Sequence, residues 1–425
     1  MTTFERIKLG DLVTWAKGCN IPRDDTSVSK SIPYLHYGDL YKKYGYCLNL
    51  PEVINDIIKI DSLDSVKEPQ MLHDGDIVFT LTSETVDDLG HCTLIINPDD
   101  MPFVSGMETT VLHLKESSKA LPTYLNYIFQ DERFRRIMRQ YVTGMKVYRI
   151  HPKDLMRIEI DLPPLDLQAR IVGILNSFSD SIINLGKIND NLLEIGKQLF
   201  NDMLSTANLS PGKLSDITDI TMGQSPPGES LSEKQNGMIF YQGRSEFGKI
   251  FPTPRLYTSD PKRIAPKGSV LVSVRAPVGD INLALNECCI GRGLAAIETK
   301  NSTPGFVHYL IDCLQPAFDI FNGNGTVFGS IDKSSINNIE INIPDESSLK
   351  SFDEKAKTID SLIETNHVEM MKLIELRDCL LPKLMSGVVD VSNLDLPTKY
   401  SFTRELPCIH DSKRGPENQS DRQNR

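Results

Sequence analysis

The sequence predicts a pseudo-symmetric protein of the α/β (α+β) class, in which two mixed α/β domains are joined and followed by long helices. Three observations lead to this prediction: an internal repeat, strand-like runs broken by glycine and proline in each copy, and an apolar stripe with helical spacing at the end of each copy. The two helices are expected to pair as an antiparallel coiled coil. With 425 residues, the chain is long enough for two such domains with long connecting elements.

The repeat is clearest at the two ends of each copy. Lys8–Leu12 recurs as Lys213–Ile217, a shift of 205 residues, whereas Leu192–Ser205 recurs as Leu373–Ser386, a shift of 181. The first copy is therefore longer, and the middles of the copies diverge. These shifts predict a first domain at 1–163, a helix at 164–207, a second domain at 208–344, a helix at 345–388 and a flexible polar tail at 389–425.

Strand-like runs precede the helical part of each copy. Asp76–Leu81 and Ser269–Val274 are apolar runs bounded by glycine or proline, which is typical of strands. A helix is predicted near Thr123–Tyr141, since Pro122 favours a helix start. Pro382 is expected to end or kink the second long helix, because proline lacks an N–H and clashes with the preceding turn.

Apolar residues three and four positions apart define the predicted seam of the coiled coil. Asn366 stands where the first copy has Leu185, so it either fixes the register or is tolerated near a helix crossing. The alternative for these stripes is that each helix lies on the core of its own domain. The seam residues are Phe178, Ile182, Leu185, Leu192, Ile195, Leu199, Ile359, Ile363, Asn366, Leu373, Leu376 and Leu380.

The sequence shows no motif of an active site. It contains no P-loop, no dinucleotide-binding glycine pattern, no H-E-x-x-H and no G-x-S-x-G, and its eight cysteines form no C-x-x-C pair or zinc-type cluster. One string resembles a nuclease metal site, with Asp345 followed by Asp353 and Lys355, but a charged helix face is the favoured interpretation. We therefore predict no catalytic residue and no metal site.

Charge points to local rather than general binding of nucleic acid. The formal net charge is −11, which repels phosphate overall. Between Arg133 and Arg157, however, eight basic residues face one acidic residue, and a looser basic set runs through the second domain. The alternative is a solvated, salt-bridged surface. The candidate DNA-binding residues are Thr143, Gly144, Lys146, Tyr148, Arg149, Arg135, Arg136, Gln242, Arg244, Lys262, Arg263, Arg275, Asn324 and Thr326.

The junction between the first domain and its helix resembles that of specificity (S) subunits of type I restriction-modification enzymes, where a target recognition domain ends and a long helix begins. The resemblance covers about residues 1–388 and includes the two-copy layout. In the second copy Pro344-Asp345-Glu346-Ser347 replaces Pro-Pro-Leu, and no glutamine matches Gln168. The residues that carry the resemblance are Gly144, Ile150, Leu155, Ile158–Leu165, Gln168, Arg170 and Ile171.

This resemblance implies a non-catalytic subunit that reads a bipartite double-stranded DNA target, one half-site per recognition domain. Its helices would separate the domains and dock two methylation subunits, which join it to restriction subunits. The chain is expected to hold no cofactor, while its partners use S-adenosylmethionine for adenine methylation, ATP and Mg²⁺. No signal peptide or membrane span is recognisable, so a cytoplasmic location is expected.

Two other classes of function stay open from the residues alone. One is a nuclease or stand-alone modification enzyme that uses Asp345, Asp353 and Lys355. The other is a coiled-coil scaffold with no role in DNA binding.

Overall fold

The computed structural model describes residues 4–322, 329–392 and 394, which form two units. Unit 1 comprises the described residues from 4 to 185 and from 369 onward, and unit 2 comprises those between 186 and 368. Each unit thus holds one mixed α/β domain and one half of each long helix. The predicted two-copy fold class is confirmed.

The central sheet of unit 1 has the strand order β2-β10-β6-β8-β4, and β1 pairs with β12 beside it. Two smaller sheets, β5-β3-β9 and β11-β7, complete the domain. The strands are β1 (Glu5–Lys8), β2 (Val13–Lys17), β3 (Ile32–Leu35), β4 (Cys47–Asn49), β5 (Lys59–Ile60), β6 (Ile77–Thr80), β7 (Thr82–Ser83), β8 (Cys92–Ile96), β9 (Val104–Ser105), β10 (Thr109–Leu114), β11 (Tyr148–Arg149) and β12 (Glu159–Leu162).

The helices that begin at Pro122 and Glu132 pack on one face of the central sheet, where the aromatic ring of Phe129 meets that of Phe79 on β6 at 4.9 Å between centroids. Gln168 ties the long helix to this domain, because its amide donates to the carbonyls of Lys119 and Pro163 at 2.8 Å. The helices are α1 (Leu9–Leu12), α2 (Tyr37–Asp39), α3 (Leu50–Val53), α4 (Pro122–Gln130), α5 (Glu132–Arg139), α6 (Pro152–Leu155) and α7 (Leu165–Thr206), which continues into unit 2.

Unit 2 repeats this plan with the sheets β14-β22-β19-β20, β13-β23 and β15-β17-β16-β21-β18. Its strands are β13 (Leu209–Lys213), β14 (Thr218–Met222), β15 (Leu231–Ser232), β16 (Met238–Tyr241), β17 (Leu256–Thr258), β18 (Ile264–Ala265), β19 (Val270–Ser273), β20 (Ile281–Leu283), β21 (Cys288–Ile290), β22 (Leu294–Thr299) and β23 (Glu340–Pro344). Its helices are α8 (Leu214–Ile217), α9 (Pro304–Cys313), α10 (Gln315–Asp319), α11 (Lys333–Asn337) and α12 (Glu346–Met385), which continues into unit 1.

The two long helices run antiparallel. Within unit 2, Asn366 bonds to Asn189 and Phe352 meets Phe200, so residue numbers fall along α12 as they rise along α7. Within unit 1, residues of the other two halves, among them Leu175 and Leu384, share one apolar core. Each helix also packs on its own domain. The apolar stripes therefore serve helix pairing at some positions and contact with the domain core at others.

One local prediction from the sequence is wrong, and one of the two outcomes expected at Pro382, the end of the helix, does not occur. The helix expected near Thr123–Tyr141 is broken at Asp131, whose backbone is extended and whose carboxylate accepts from the Arg133 N–H at 2.8 Å. This capping bond starts a second helix. Pro382 lies inside α12, which continues to Met385 and ends before Gly387, a residue with φ +69°.

Candidate nucleic-acid interface

The segment 143–149 forms a closed loop on the surface of unit 1. Thr143 and Arg149 exchange two backbone hydrogen bonds of 2.9 and 2.8 Å, and β11 pairs with β7. Gly144 has φ +103°, and a Cβ there would stand 2.1 Å from the Val147 carbonyl oxygen. Only glycine fits this turn without strain, which explains its place between Thr143 and Met145.

The tip of the 143–149 loop is open to solvent. Met145 is 92% exposed, and Lys146 and Arg149 are also exposed. Among the described residues, no carboxylate lies within ion-pair distance of Lys146 or Arg149, whereas the Tyr148 ring is half-buried. The loop thus presents two uncompensated positive charges, as a contact with phosphate or a base edge requires.

The rest of the basic cluster in unit 1 is partly neutralised. Arg133 pairs with Asp131, Arg139 with Glu132 at 2.8 Å, and Arg157 with Asp154 at 3.1 Å. For these three arginines the solvated, salt-bridged alternative describes the structure. None of the three belongs to the candidate DNA-binding residues.

The two candidates on α5 have different surroundings. Arg136 is exposed. Arg135 is half-buried and its guanidinium lies 5.8 Å from the centre of the Tyr46 ring, a cation–π contact. Arg136 is therefore available to a ligand, whereas Arg135 is engaged with Tyr46 within the domain.

In unit 2 the described residues at the end of the equivalent segment make the same backbone bond. The Ile331 N–H donates to the Val274 carbonyl at 3.1 Å, and in unit 1 the Ile150 N–H donates to the Leu81 carbonyl at 3.0 Å. Arg275 and Ser330 form an isolated antiparallel β-bridge beside this bond. The candidates Asn324 and Thr326 lie outside the described residues.

Three candidates of unit 2 meet around one cavity of about 350 Å³, which we term the arginine pocket. Gln242 and Arg244 follow β16 and Arg275 follows β19, while Arg292 joins them from the turn before β22. The sequence places Arg292 in the looser basic set of the second domain but not among the candidate DNA-binding residues. The feature that could have identified it is its position between Gly291 and Gly293. The lining residues are Ser225, Gln242, Gly243, Arg244, Ser245, Arg275, Ala276, Arg292 and Gly293.

The arginines of the pocket differ in their charge balance. Arg244 forms an ion pair with Asp280, and burial lowers the pKa of its guanidinium, which still stays protonated at neutral pH. Arg275 and Arg292 are exposed, and neither has an ion pair with another described residue. The pocket therefore offers two uncompensated guanidinium groups beside a fixed one.

Lys262 and Arg263 do not line the arginine pocket. They precede β18, where Lys262 pairs with Asp260 at 2.8 Å and the Arg263 carbonyl accepts from the Ile290 N–H. Arg263 is exposed, whereas the charge of Lys262 is already compensated.

The predicted seam is only partly buried. The assignment of Ile195 and Leu376 to the seam is wrong, since these side chains are 47% and 52% exposed. Next to Ile195, the buried position is that of Gly196, which faces the ring and hydroxyl of Tyr309. Ile182, Ile359 and Ile363 are buried. The half-buried members are Phe178, Leu185, Leu192, Leu199, Asn366, Leu373 and Leu380.

The nuclease-like string has structural roles. Asp345 caps α12, accepting from the Ser348 N–H at 3.0 Å, and these bonds hold the pKa of its carboxyl far below its usual value. Asp353 is buried and accepts from the Phe306 N–H while pairing with Lys357 at 2.7 Å. Within the described ranges no three His, Cys, Asp or Glu side chains converge as a metal site would require, and no helix there could cross a membrane.

The family model described as the type I restriction modification DNA specificity domain matches this chain twice, at residues 1–194 and 208–377. The chain belongs to the type I restriction-modification specificity (S) subunit family. It is accordingly a non-catalytic DNA-recognition subunit.

Relatives extend this S-subunit assignment over most of the chain. The MjaX specificity subunit of Methanocaldococcus jannaschii is 29% identical over 381 residues, covering 82% of this chain and 88% of that protein. The MjaIX specificity subunit of the same organism is 23% identical over 309 residues, covering 64% and 70%. The S subunit of a type I system from M. genitalium shares the fold, with a TM-score of 0.53 at 14% identity over 90% and 96% of the chains.

Proposed function

We propose that this S subunit reads a bipartite double-stranded DNA target, one half-site per domain, and docks two methylation subunits that bring it together with restriction subunits. The observation that carries this proposal is the shared loop frame of the two domains. In both domains the residue that follows this loop, Ile150 or Ile331, donates to the carbonyl just after β6 or β19, whereas the side chains around these positions differ. Domains that share this backbone arrangement but differ in their side chains are suited to recognise two different half-sites.

Base recognition in unit 1 is assigned to the 143–149 loop. Lys146 and Arg149 provide charge, Tyr148 provides a planar ring beside them, and Thr143 shapes the loop through its bond to Arg149. Because the chain carries a net charge of −11, the methylation subunits would supply much of the phosphate contact. In this proposal they also hold S-adenosylmethionine, the restriction subunits use ATP and Mg²⁺, and the assembly acts in the cytoplasm.

The docking surface is proposed on the exposed apolar residues of the long helices. In unit 2 these are Ile188 and Ile195 on α7, seven residues apart and therefore on one face, and Leu362 on α12. In unit 1 they are Met371 and Leu376 on α12. Large apolar side chains left open in this pattern are typical of a protein interface.

The proposal is tested with the chain co-expressed with its methylation subunit. Sequencing of methylated adenines in the host should reveal a target with two specified parts and an unspecified gap. A scaffold without a DNA role would give no methylation pattern and no shift of DNA in a gel with or without the methylation subunit. Turnover of DNA by the purified chain alone, lost in Asp353→Asn, would instead support a nuclease.

The 143–149 loop has its own test. Lys146→Ala or Arg149→Ala should weaken DNA binding by about 1–3 kcal/mol if the side chain reads a base. Arg157→Ala is the matched control, since this arginine is already paired with Asp154. If both loop variants bind like the control at several salt concentrations, the loop is only a solvated surface.

A further inference from the structure

The arginine pocket stands on a frame that both domains share. In unit 2 the N–H groups of Gly223, Gln224 and Gly291 donate to the carbonyls of Leu294, Ile290 and Tyr241 at 2.8–2.9 Å. In unit 1 the N–H groups of Gly18, Cys19 and Gly106 donate to those of Thr109, Ser105 and Leu35 at 2.7–3.1 Å. These repeated bonds give a residue-by-residue correspondence between the two domains that does not depend on sequence similarity.

The correspondence shows that the pocket's side chains are particular to unit 2. Arg292 follows Gly291, and the equivalent residue after Gly106 is Met107. Arg275 follows Val274, and the residue after Leu81 is Thr82. The frame is thus kept while both uncompensated arginines are replaced by neutral residues. Their positions cannot be explained by folding alone, because unit 1 folds without them.

From this we infer that the arginine pocket of unit 2 binds the edge of a guanine base, with Arg275 or Arg292 donating to its O6 and N7 atoms. The inference rests on the proposed DNA-reading function and adds the base that one half-site must contain. A guanidinium fork matches the two acceptors that guanine presents in the major groove. Gln242, at the same rim, can contact the neighbouring base through its amide.

The polar lining favours a base edge over a phosphate, because the Gln242 amide offers both a donor and an acceptor, whereas phosphate oxygens only accept. Asp280 holds Arg244 by an ion pair, which compensates the charge of that guanidinium. Arg244 is therefore a positioning residue, which keeps the segment after β16 in place, while Arg275 and Arg292 are free to contact the ligand.

The test is selection of DNA from a library in which both half-sites are randomised, using the full chain together with its methylation subunit. For the wild type, one half-site should contain an invariant guanine. Arg275→Ala or Arg292→Ala should lower the preference for guanine at that position by about 5- to 150-fold and leave the other half-site unchanged. Substituting the same arginine by lysine keeps the charge but loses the planar fork, so the preference should still relax.

Two control variants make the readout specific. Lys300→Ala removes a basic residue at the far end of β22, where it pairs with Asp219, and should leave selection unchanged. Met107→Ala alters the equivalent position of unit 1, so any change should appear only in the other half-site.

Each outcome decides one point. If Arg275→Ala and Arg292→Ala weaken binding equally for all sequences, and the lysine variants restore it, the pocket binds phosphate and the inference is overturned. If both variants select like the wild type, the pocket does not touch DNA, and the inference is again overturned. If the wild-type complex selects no sequence at all, the proposed function itself fails.

Discussion

Replacing Asn189 by alanine is expected to lower the free energy of unfolding by about 1–3 kcal/mol, the cost of a buried polar partner left unsatisfied. Asn189 is 4% exposed in the interface between α7 and α12. Its amide donates to the Ile363 carbonyl at 3.2 Å, and its Oδ1 accepts from Asn366 at 2.8 Å. The alanine variant removes the acceptor of Asn366 and leaves a small cavity.

A double-mutant cycle separates the energy of the contact between Asn189 and Asn366 from the effects of the single substitutions. Asn366→Ala leaves the Asn189 oxygen without its donor, so it should cost a similar amount, whereas the double alanine variant should cost clearly less than the sum of the two. The difference, a coupling of about 0.5–3 kcal/mol, is typical of residues in one hydrogen-bond network. Asn189→Leu with Asn366→Leu should be nearly neutral in stability, since both polar partners are removed together.

The assay is equilibrium unfolding in urea followed by the helical circular dichroism signal. Asn191→Ala is the matched control, because Asn191 lies two residues away on the exposed side of α7 and should change the free energy by less than about 0.5 kcal/mol. Strict additivity of the two single alanine variants would refute the reasoning, because it would mean that the contact contributes nothing.

Three further results are expected. Burial disfavours the charged form of His113, but its hydrogen bond with Asp76 and the charge of that carboxylate outweigh this effect and raise the pKa of His113. The protonated imidazole therefore stabilises the fold below pH about 6.5, and this stabilisation is lost as the pH rises through the raised pKa. In His113→Gln this contribution should be absent from the pH dependence of the free energy of unfolding in urea. Gly144→Val should abolish DNA binding through unit 1 without lowering the melting temperature by more than a few degrees, because the strained turn is at an exposed tip. Inserting four residues after both Leu185 and Val368 adds about 6 Å to each helix and should lengthen the gap between methylated half-sites by one or two base pairs; an unchanged gap would show that the helices do not set it.

The features that depend on local pattern could be predicted from the sequence. Lys8–Leu12 and Lys213–Ile217 are alike because each leads from the end of the equivalent strand, β1 or β13, into the short helix α1 or α8. The spacing of apolar residues alone predicted the two long helices. The break at Asp131 could not be read in this way, since one side-chain bond to a neighbouring N–H outweighs the helical propensity of the residues around it.

The candidate site was harder to predict, because it is assembled by pairing between distant segments. The parallel pairing of β16 with β21 brings Gln242 next to Gly291, about fifty residues later in the chain, and therefore places Arg292 beside it. Nothing in the local sequence records this contact. Composition identified Arg275 as basic, but it could not show that Arg275 is unpaired while Lys262 is neutralised by Asp260.

The division of each long helix between the two units has a consequence for synthesis on the ribosome. The core of unit 1 includes Leu384, Met385 and Val391, which pack in one cluster with Ile171 and Leu175. Residues 186–368 must be translated before these partners emerge, which takes about 10–40 s at typical rates. During this interval the part of the first half of α7 that packs against Leu384 and Met385 stays uncovered. Unit 1, whose synthesis begins first, is therefore completed after the described residues of unit 2 have all been translated.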